Sequence, residues 1–225
     1  MTDYDCEALR TPEIVCLPDP RSRKTDFLTG EPLTIGYEHE AITDVTLHNG
    51  VPRNIWTQFE TARNLYLYAW FVYRFYPVAE HQAYACLELA LRERYKAEVT
   101  AISKAKAKKI LQSMKSLLEY AVQQGHIRNE GFSVWRRRTV LRAKQRTQDD
   151  LWARTLKEGR TEMTYDEDAF EIIDVDRNHD YLEIILDTIP KLRNDYAHGS
   201  NTLHSQVLYS IVLVSEIINQ IYDGP

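Results

Sequence analysis

From Arg53 to Tyr222 the apolar residues return every three or four positions, and this period makes a helical chain the expected fold. Ile55, Phe59, Ala62, Leu65, Tyr66, Ala69, Val72 and Tyr73 mark one helix over Arg53–Tyr76. Pro77 closes it and suits the first turn of the next, where a missing N–H costs nothing. Val78–Glu98 continues with Ala83, Leu87, Ala90, Leu91 and Tyr95, so the two helices form a long antiparallel hairpin. A third helix is expected over Lys104–Gln124, with Gly125 just past its end. Only 8 glycines and 8 prolines in 225 residues agree with long helices rather than a turn-rich β fold.

The later part of the chain is more polar. Ser133 is placed to cap a basic helix over Val134–Leu156, with sparse apolar positions and an exposed surface. Thr161–Asp176 is acidic and aperiodic, and reads as a mobile loop. Asn178 offers an N-cap for a helix from Asp180 that Pro190 bends but does not stop, and Gly199 ends it after His198. Leu203–Tyr222 is the last helix and is strongly apolar. Residues 1–50 differ, because they hold Pro12, Pro18, Pro20 and Pro32 and show no helical period. They read as an extended arm packed on the core, with room for one short hairpin that uses Ile42–Leu47 as a strand before Asn49-Gly50. The expected fold is thus all-α, an antiparallel helical bundle over 51–225 with a basic helical insertion at about 126–177.

Three cysteines, Cys6, Cys16 and Cys86, have no metal-ligand spacing and no disulfide framework, which points to a reducing, cytoplasmic setting. No leader pattern and no stretch of membrane-spanning length is visible, so no membrane partner is expected. The histidines form no metal set, and neither a metal nor another cofactor is expected. The net charge of −5 conceals an asymmetry. Arg136, Arg137, Arg138, Arg142, Lys144 and Arg146 form a basic run suited to salt-sensitive RNA backbone contacts, with Trp135 and Trp152 as candidate base-stacking groups. The competing reading is that this run and the acidic stretch after it are solvated faces that pair with each other.

The chemistry concentrates in Lys191-Leu192-Arg193-Asn194-Asp195-Tyr196-Ala197-His198-Gly199. On a helix, Asn194 and His198 share a face, and the long stem of Arg193 can lean toward it. Leu192 and Tyr196 are expected to face inward. A guanidinium offers a planar fork to phosphate oxygens, and an imidazole moves protons near neutral pH. Cleavage of RNA needs little more, because the substrate supplies its own nucleophile, the 2′-hydroxyl.

Arg193-Asn194-Asp195-Tyr196-Ala197-His198 resembles the R-x4–6-H motif of the HEPN superfamily, including its polar residue directly after the arginine. The apolar helix before the motif, the glycine after it and the long closing helix resemble that family too, as does Ala85-Cys86-Leu87-Glu88-Leu89-Ala90-Leu91-Arg92 in the leading hairpin. The resemblance covers about residues 53–222. It implies a homodimer with a composite cleft and a metal-independent endoribonuclease of toxin, phage-defence or RNA-processing type, with an antitoxin or regulatory protein as a further partner. It also implies that Arg193 stabilises the scissile phosphate, that His198 acts as general acid or base, and that Asn194 positions the phosphate or His198. Glu88, Asp195, Tyr196 and His204 are supporting candidates: Glu88 also suits a plain helix ion pair with Arg92, Asp195 a charge partner for Arg193, and His204 a solvated helix start. Many members of the family do not cut RNA. A non-catalytic module that binds nucleotide, RNA or a protein partner is therefore the alternative, and a purely structural helical adaptor is a third.

Overall fold

A computed structural model describes residues 5–26, 28–199 and 202–223; residues 1–4 of the expected arm lie outside that set. The described residues are predominantly helical. In chain order the helices are α1 (Ile35–Thr43), α2 (Arg53–Tyr68), α3 (Phe75–Ile102), α4 (Lys104–Ile110), α5 (Met114–Gln123), α6 (Ser133–Lys157), the short α7 (Asp174–Arg177), α8 (Leu182–Ala197) and α9 (Leu208–Tyr222). Strand pairing among the described residues is limited to an isolated antiparallel bridge between Thr25 and Pro32. No helix among them is long and apolar enough to cross a membrane.

The organising element is α3, which packs against α2, α9, α8, α5 and α4. Its sequence explains this, because Tyr76, Ala79, Ala83, Tyr84, Cys86, Leu87, Ala90, Leu91, Tyr95 and Val99 are all buried and cover most of its circumference. The alanines let neighbouring helices approach closely, while Leu87 and Leu91 fill the space between them. Full burial of such a leucine contributes about 1.5–3 kcal/mol. Cys86 is a core residue, and burial pushes its thiol up to about 12, which leaves it unreactive. The apolar closing helix α9 contributes Ile211, Val214, Ile217, Ile218 and Ile221 to the same core.

Several boundaries depart from the expected ones, some through distant polar contacts and one through a local cap. Helix α2 ends at Tyr68 rather than Tyr76. The turn that follows is pinned by the N-terminal segment: Asp19 N–H donates to Trp70 O, and the Asp19 carboxylate accepts from Tyr73 N–H at 3.2 Å. Pro77 falls in the first turn of α3, as its missing N–H requires. The expected single helix over Lys104–Gln124 is two, because Ser113 turns out of the helix and its hydroxyl caps α5 by accepting from Ser116 N–H. Gly125, with φ of 72°, follows α5 as expected.

The cap of α8 comes from Asn129, whose Oδ1 accepts from Tyr181 and Leu182 N–H, and from Asp180, not from Asn178. The helix runs through Pro190 without stopping and closes at Ala197, with Gly199 at φ of 87° behind it. Helix α9 starts at Leu208, so His204 lies in the connection before it. The N-terminal fifty residues are not wholly extended. Ile42–Thr43 belong to α1 rather than to a strand, since Ile42 supplies an inward side chain to the core together with Leu47 and Val51. The bridge falls instead across Asp26–Glu31, where Gly30 has φ of 72°.

Candidate active site

The C-terminal half of α8 lies against α3. Two pairs define the contact: Arg193 meets Glu88 at 2.8 Å, and the Tyr196 hydroxyl donates to Glu80 Oε2 at 2.5 Å. The later residue of α8 meets the earlier residue of α3, so the two helices run in opposite senses. Glu80, Tyr84, Glu88 and Arg92 stand one turn apart along one side of α3.

Glu80 is the anchor. It is 2% exposed, and a carboxylate taken that far from water is tolerable only with its lone pairs satisfied. Three hydroxyls do this: Tyr196 on Oε2 at 2.5 Å, and Ser210 at 2.5 Å and Tyr84 at 3.2 Å on Oε1. Ser210 comes from α9, so this one side chain ties α3, α8 and α9 together. The His204 ring lies 3.2 Å from the Tyr196 hydroxyl and 3.5 Å from Glu80, and its remaining surface is exposed. Burial, and next the hydrogen bond to Glu80, push the Tyr196 phenol well up, so it stays a donor. The ring of His81 stacks on Tyr196 from the far side. This network holds the last turn of α8 in place.

Arg193 and His198 both reach solvent. The Arg193 side chain is 34% exposed, and one of its nitrogens donates to Asn194 Oδ1 at 3.2 Å, so the amide after the arginine orients the guanidinium. Its charge partner is Glu88 rather than the adjacent Asp195, which is exposed. Glu88 does pair with Arg92 at 2.8 Å, as its spacing suggests, but it also holds Arg193, so two guanidinium groups share one carboxylate. His198 caps α8, with its own N–H bonded to Asn194 O at 3.0 Å and its side chain exposed. A cleft of about 560 Å³ opens between α3, α5 and α8, lined in part by Arg92, Lys115, Lys191, Arg193 and Asn194. His198 is not among its lining residues.

The basic run of α6 is largely occupied. Arg146 forms a two-nitrogen pair with Asp176 at 2.9 and 3.1 Å and also donates to Glu171 O. Arg142 donates to Val175 O, and Lys144 stands 3.8 Å from Asp168. The basic and acidic stretches therefore do pair with each other. Arg136 bonds Glu130 O, while Arg136, Arg137 and Arg138 keep exposed side chains. Trp135 cannot stack on a base: it is 6% exposed, its ring lies on His179, and its N–H donates to His179 O. Trp152 is exposed.

Sequence reasoning missed Glu80, Ser210 and the cleft cations Arg92 and Lys115 as parts of one arrangement. The signal for Glu80 was present, since an acidic residue interrupts the apolar stripe of Ala79, Ala83 and Leu87. Among the described residues, no three His, Cys, Asp or Glu side chains gather as a metal site. Compared with family models, curated proteins and solved structures, the chain has no match.

Proposed function

We propose that the protein is a HEPN-type endoribonuclease that cuts RNA without a metal, with Arg193, Asn194 and His198 as its working groups. One observation carries this reading. A guanidinium and an imidazole stand at the closing end of one helix, both open to solvent, on a backbone that the buried Glu80 network holds rigid.

In this chemistry the 2′-oxygen attacks the adjacent phosphorus while its proton passes to a base. The 5′-oxygen departs and takes a proton from an acid. The products are a 2′,3′-cyclic phosphate and a 5′-hydroxyl. Arg193 stabilises charge on the phosphate oxygens, and Asn194 keeps its fork aligned. His198 serves one proton transfer. The homodimer comes with the resemblance to the HEPN family, and in it one His198 from each copy would serve the two proton transfers.

The test is cleavage of a single-stranded RNA in excess chelator. His198→Ala should lower the rate by about 10²–10⁴ and Arg193→Ala by about 10²–10³. Equal rates in all three proteins would remove the assignment. The competing reading, a module that binds RNA or nucleotide without cutting, draws on the Arg193–Glu88 pair, which part-neutralises the guanidinium. RNA binding with no cleavage under any condition would favour it.

A further inference from the structure

We infer that the cleft between α3, α5 and α8 is the track for an RNA backbone phosphate, with Arg92 and Lys115 as binding residues and Glu88 as the carboxylate that competes with the phosphate for Arg92 and Arg193. The inference rests on the ribonuclease reading only for the identity of the polymer.

The charge pattern is the first argument. The cleft walls carry four cations, Arg92, Lys115, Lys191 and Arg193, against two carboxylates, Glu88 and Asp187. Lys191 is taken by Asp187 at 2.7 Å. Arg92 and Arg193 both turn their nitrogens onto Glu88, at 2.8 Å each, Arg92 on Oε1 and Arg193 on Oε2. Arg92 gives two nitrogens to Oε1 and Arg193 one to Oε2, and two guanidinium groups aimed at one pair of anionic oxygens suit the two free oxygens of a phosphate diester. Glu88 is fixed to α3 and its side chain is 16% exposed, so it sits at the cleft wall and not out in solvent. An entering phosphate competes with Glu88 for these guanidinium hydrogen bonds, and the carboxylate it displaces opposes it by like charge, so removing that charge should favour binding. Arg92 stays aimed throughout, because its other terminal nitrogen donates to Leu111 O at 2.7 Å. Lys115 lies exposed in the first turn of α5, an end of a helix that favours anions.

The cleft also says what is not held there. At about 560 Å³ it is of ligand-site size, yet none of its lining residues is aromatic, and Met114 and Pro190 supply its apolar surface. A base has no stacking platform. The site therefore takes the phosphate of a strand and leaves its bases outside. This displaces the expected backbone path on α6, whose Arg142, Lys144 and Arg146 are turned to the acidic stretch.

The test uses the full chain and a fluorescent single-stranded RNA with 2′-O-methyl sugars, which cannot be cut by 2′-hydroxyl attack, followed by anisotropy. Arg92→Gln and Lys115→Gln should each weaken binding about three- to tenfold and lower the salt slope by about 0.7. Arg136→Gln with Arg138→Gln should leave both unchanged. Glu88→Gln should tighten binding threefold or more, a gain that mere loss of packing does not produce. A melting temperature for each variant checks that it is folded. Unchanged affinity in folded Arg92→Gln and Lys115→Gln, or no tightening in folded Glu88→Gln, would overturn the inference. So would uridine monophosphate competing as well as the RNA strand, which would mean a nucleotide pocket. Cleft-dependent binding without cleavage of ordinary RNA would sink the ribonuclease reading and leave this one standing; cleavage indifferent to Arg92 and Lys115 would do the reverse.

Discussion

Removing Glu80 should be among the most destabilising single changes in the molecule, and the size of the effect can be worked from its contacts. Two hydroxyls donate to this buried carboxylate at 2.5 Å each, and the single Tyr84 O–H is shared between it at 3.2 Å and Ser210 Oγ at 3.1 Å. Hydrogen bonds to a charged group contribute about 1.5–3 kcal/mol each. The sum is not the cost, because the partners have fallbacks. Tyr84 and Ser210 still bond each other at 3.1 Å, and Tyr196 and the part-exposed His204 still meet at 3.2 Å. A loss of about 3–4 kcal/mol for Glu80→Ala follows, against about 1.5–2 kcal/mol for Tyr196→Phe, which deletes one donor. In a chain of this size that corresponds to a fall of roughly 6–16 °C in melting temperature for Glu80→Ala. Urea denaturation of the two single variants and the double variant gives the coupling directly, expected at about 1 kcal/mol or more. The reasoning fails if Glu80→Ala lies within about 1 kcal/mol of wild type, or if the two changes add within about 0.5 kcal/mol.

Other consequences can be checked separately. Burial opposes charge on Asp19, but hydrogen bonds from the Arg21 side chain at 2.9 Å, from Arg21 N–H and from Tyr73 N–H outweigh it and hold the carboxyl below the usual range. A depressed folded value means that the stabilisation is present above the unfolded value near about pH 4 and is lost as pH falls through the folded one. Wild type should therefore lose more stability than Asp19→Asn between about pH 5 and pH 3, and a parallel loss in both would refute this role for the Asp19 carboxylate. At pH 7 the same substitution should cost about 2 kcal/mol in urea denaturation. Asp176→Asn removes the pair with Arg146 that closes the 160–173 stretch onto α6, so trypsin should cut after Arg160 several-fold faster than in wild type. An unchanged cutting rate would mean that the pair does not restrain the stretch.

Most of the helical order was legible because it rests on local rules. The period of α3 and α9, Pro77 in a first turn, and Gly125 and Gly199 after helix ends are all readable from a few neighbouring residues. What escaped depends on distant partners. Asn129 caps a helix more than fifty positions later, Glu216 of α9 accepts from Ser133 N–H at the start of α6, and Asp19 pins the turn after α2. Arg193, Asn194 and His198 were visible as a motif, while the contact of Asn194 with the Arg193 guanidinium was not. Their setting was not visible, since the i, i+4 spacing of Glu88 and Arg92 suggests a private pair, and only the fold brings Arg193 to the same carboxylate. The basic run was conspicuous for the opposite reason: charge density along a helix says nothing of the acidic segment that folds back to neutralise it.

The most direct measurement compares one RNA sequence in two forms, with ordinary ribose and with 2′-deoxyribose throughout, incubated with the protein in excess chelator and the ends analysed by mass. The ribose strand alone should be cut, each upstream fragment should end in a 2′,3′-cyclic phosphate, and His198→Ala should lower the yield of product by about 10²–10⁴. Cutting of the deoxy strand, or fragments with a 3′-hydroxyl and a 5′-phosphate, would contradict this chemistry.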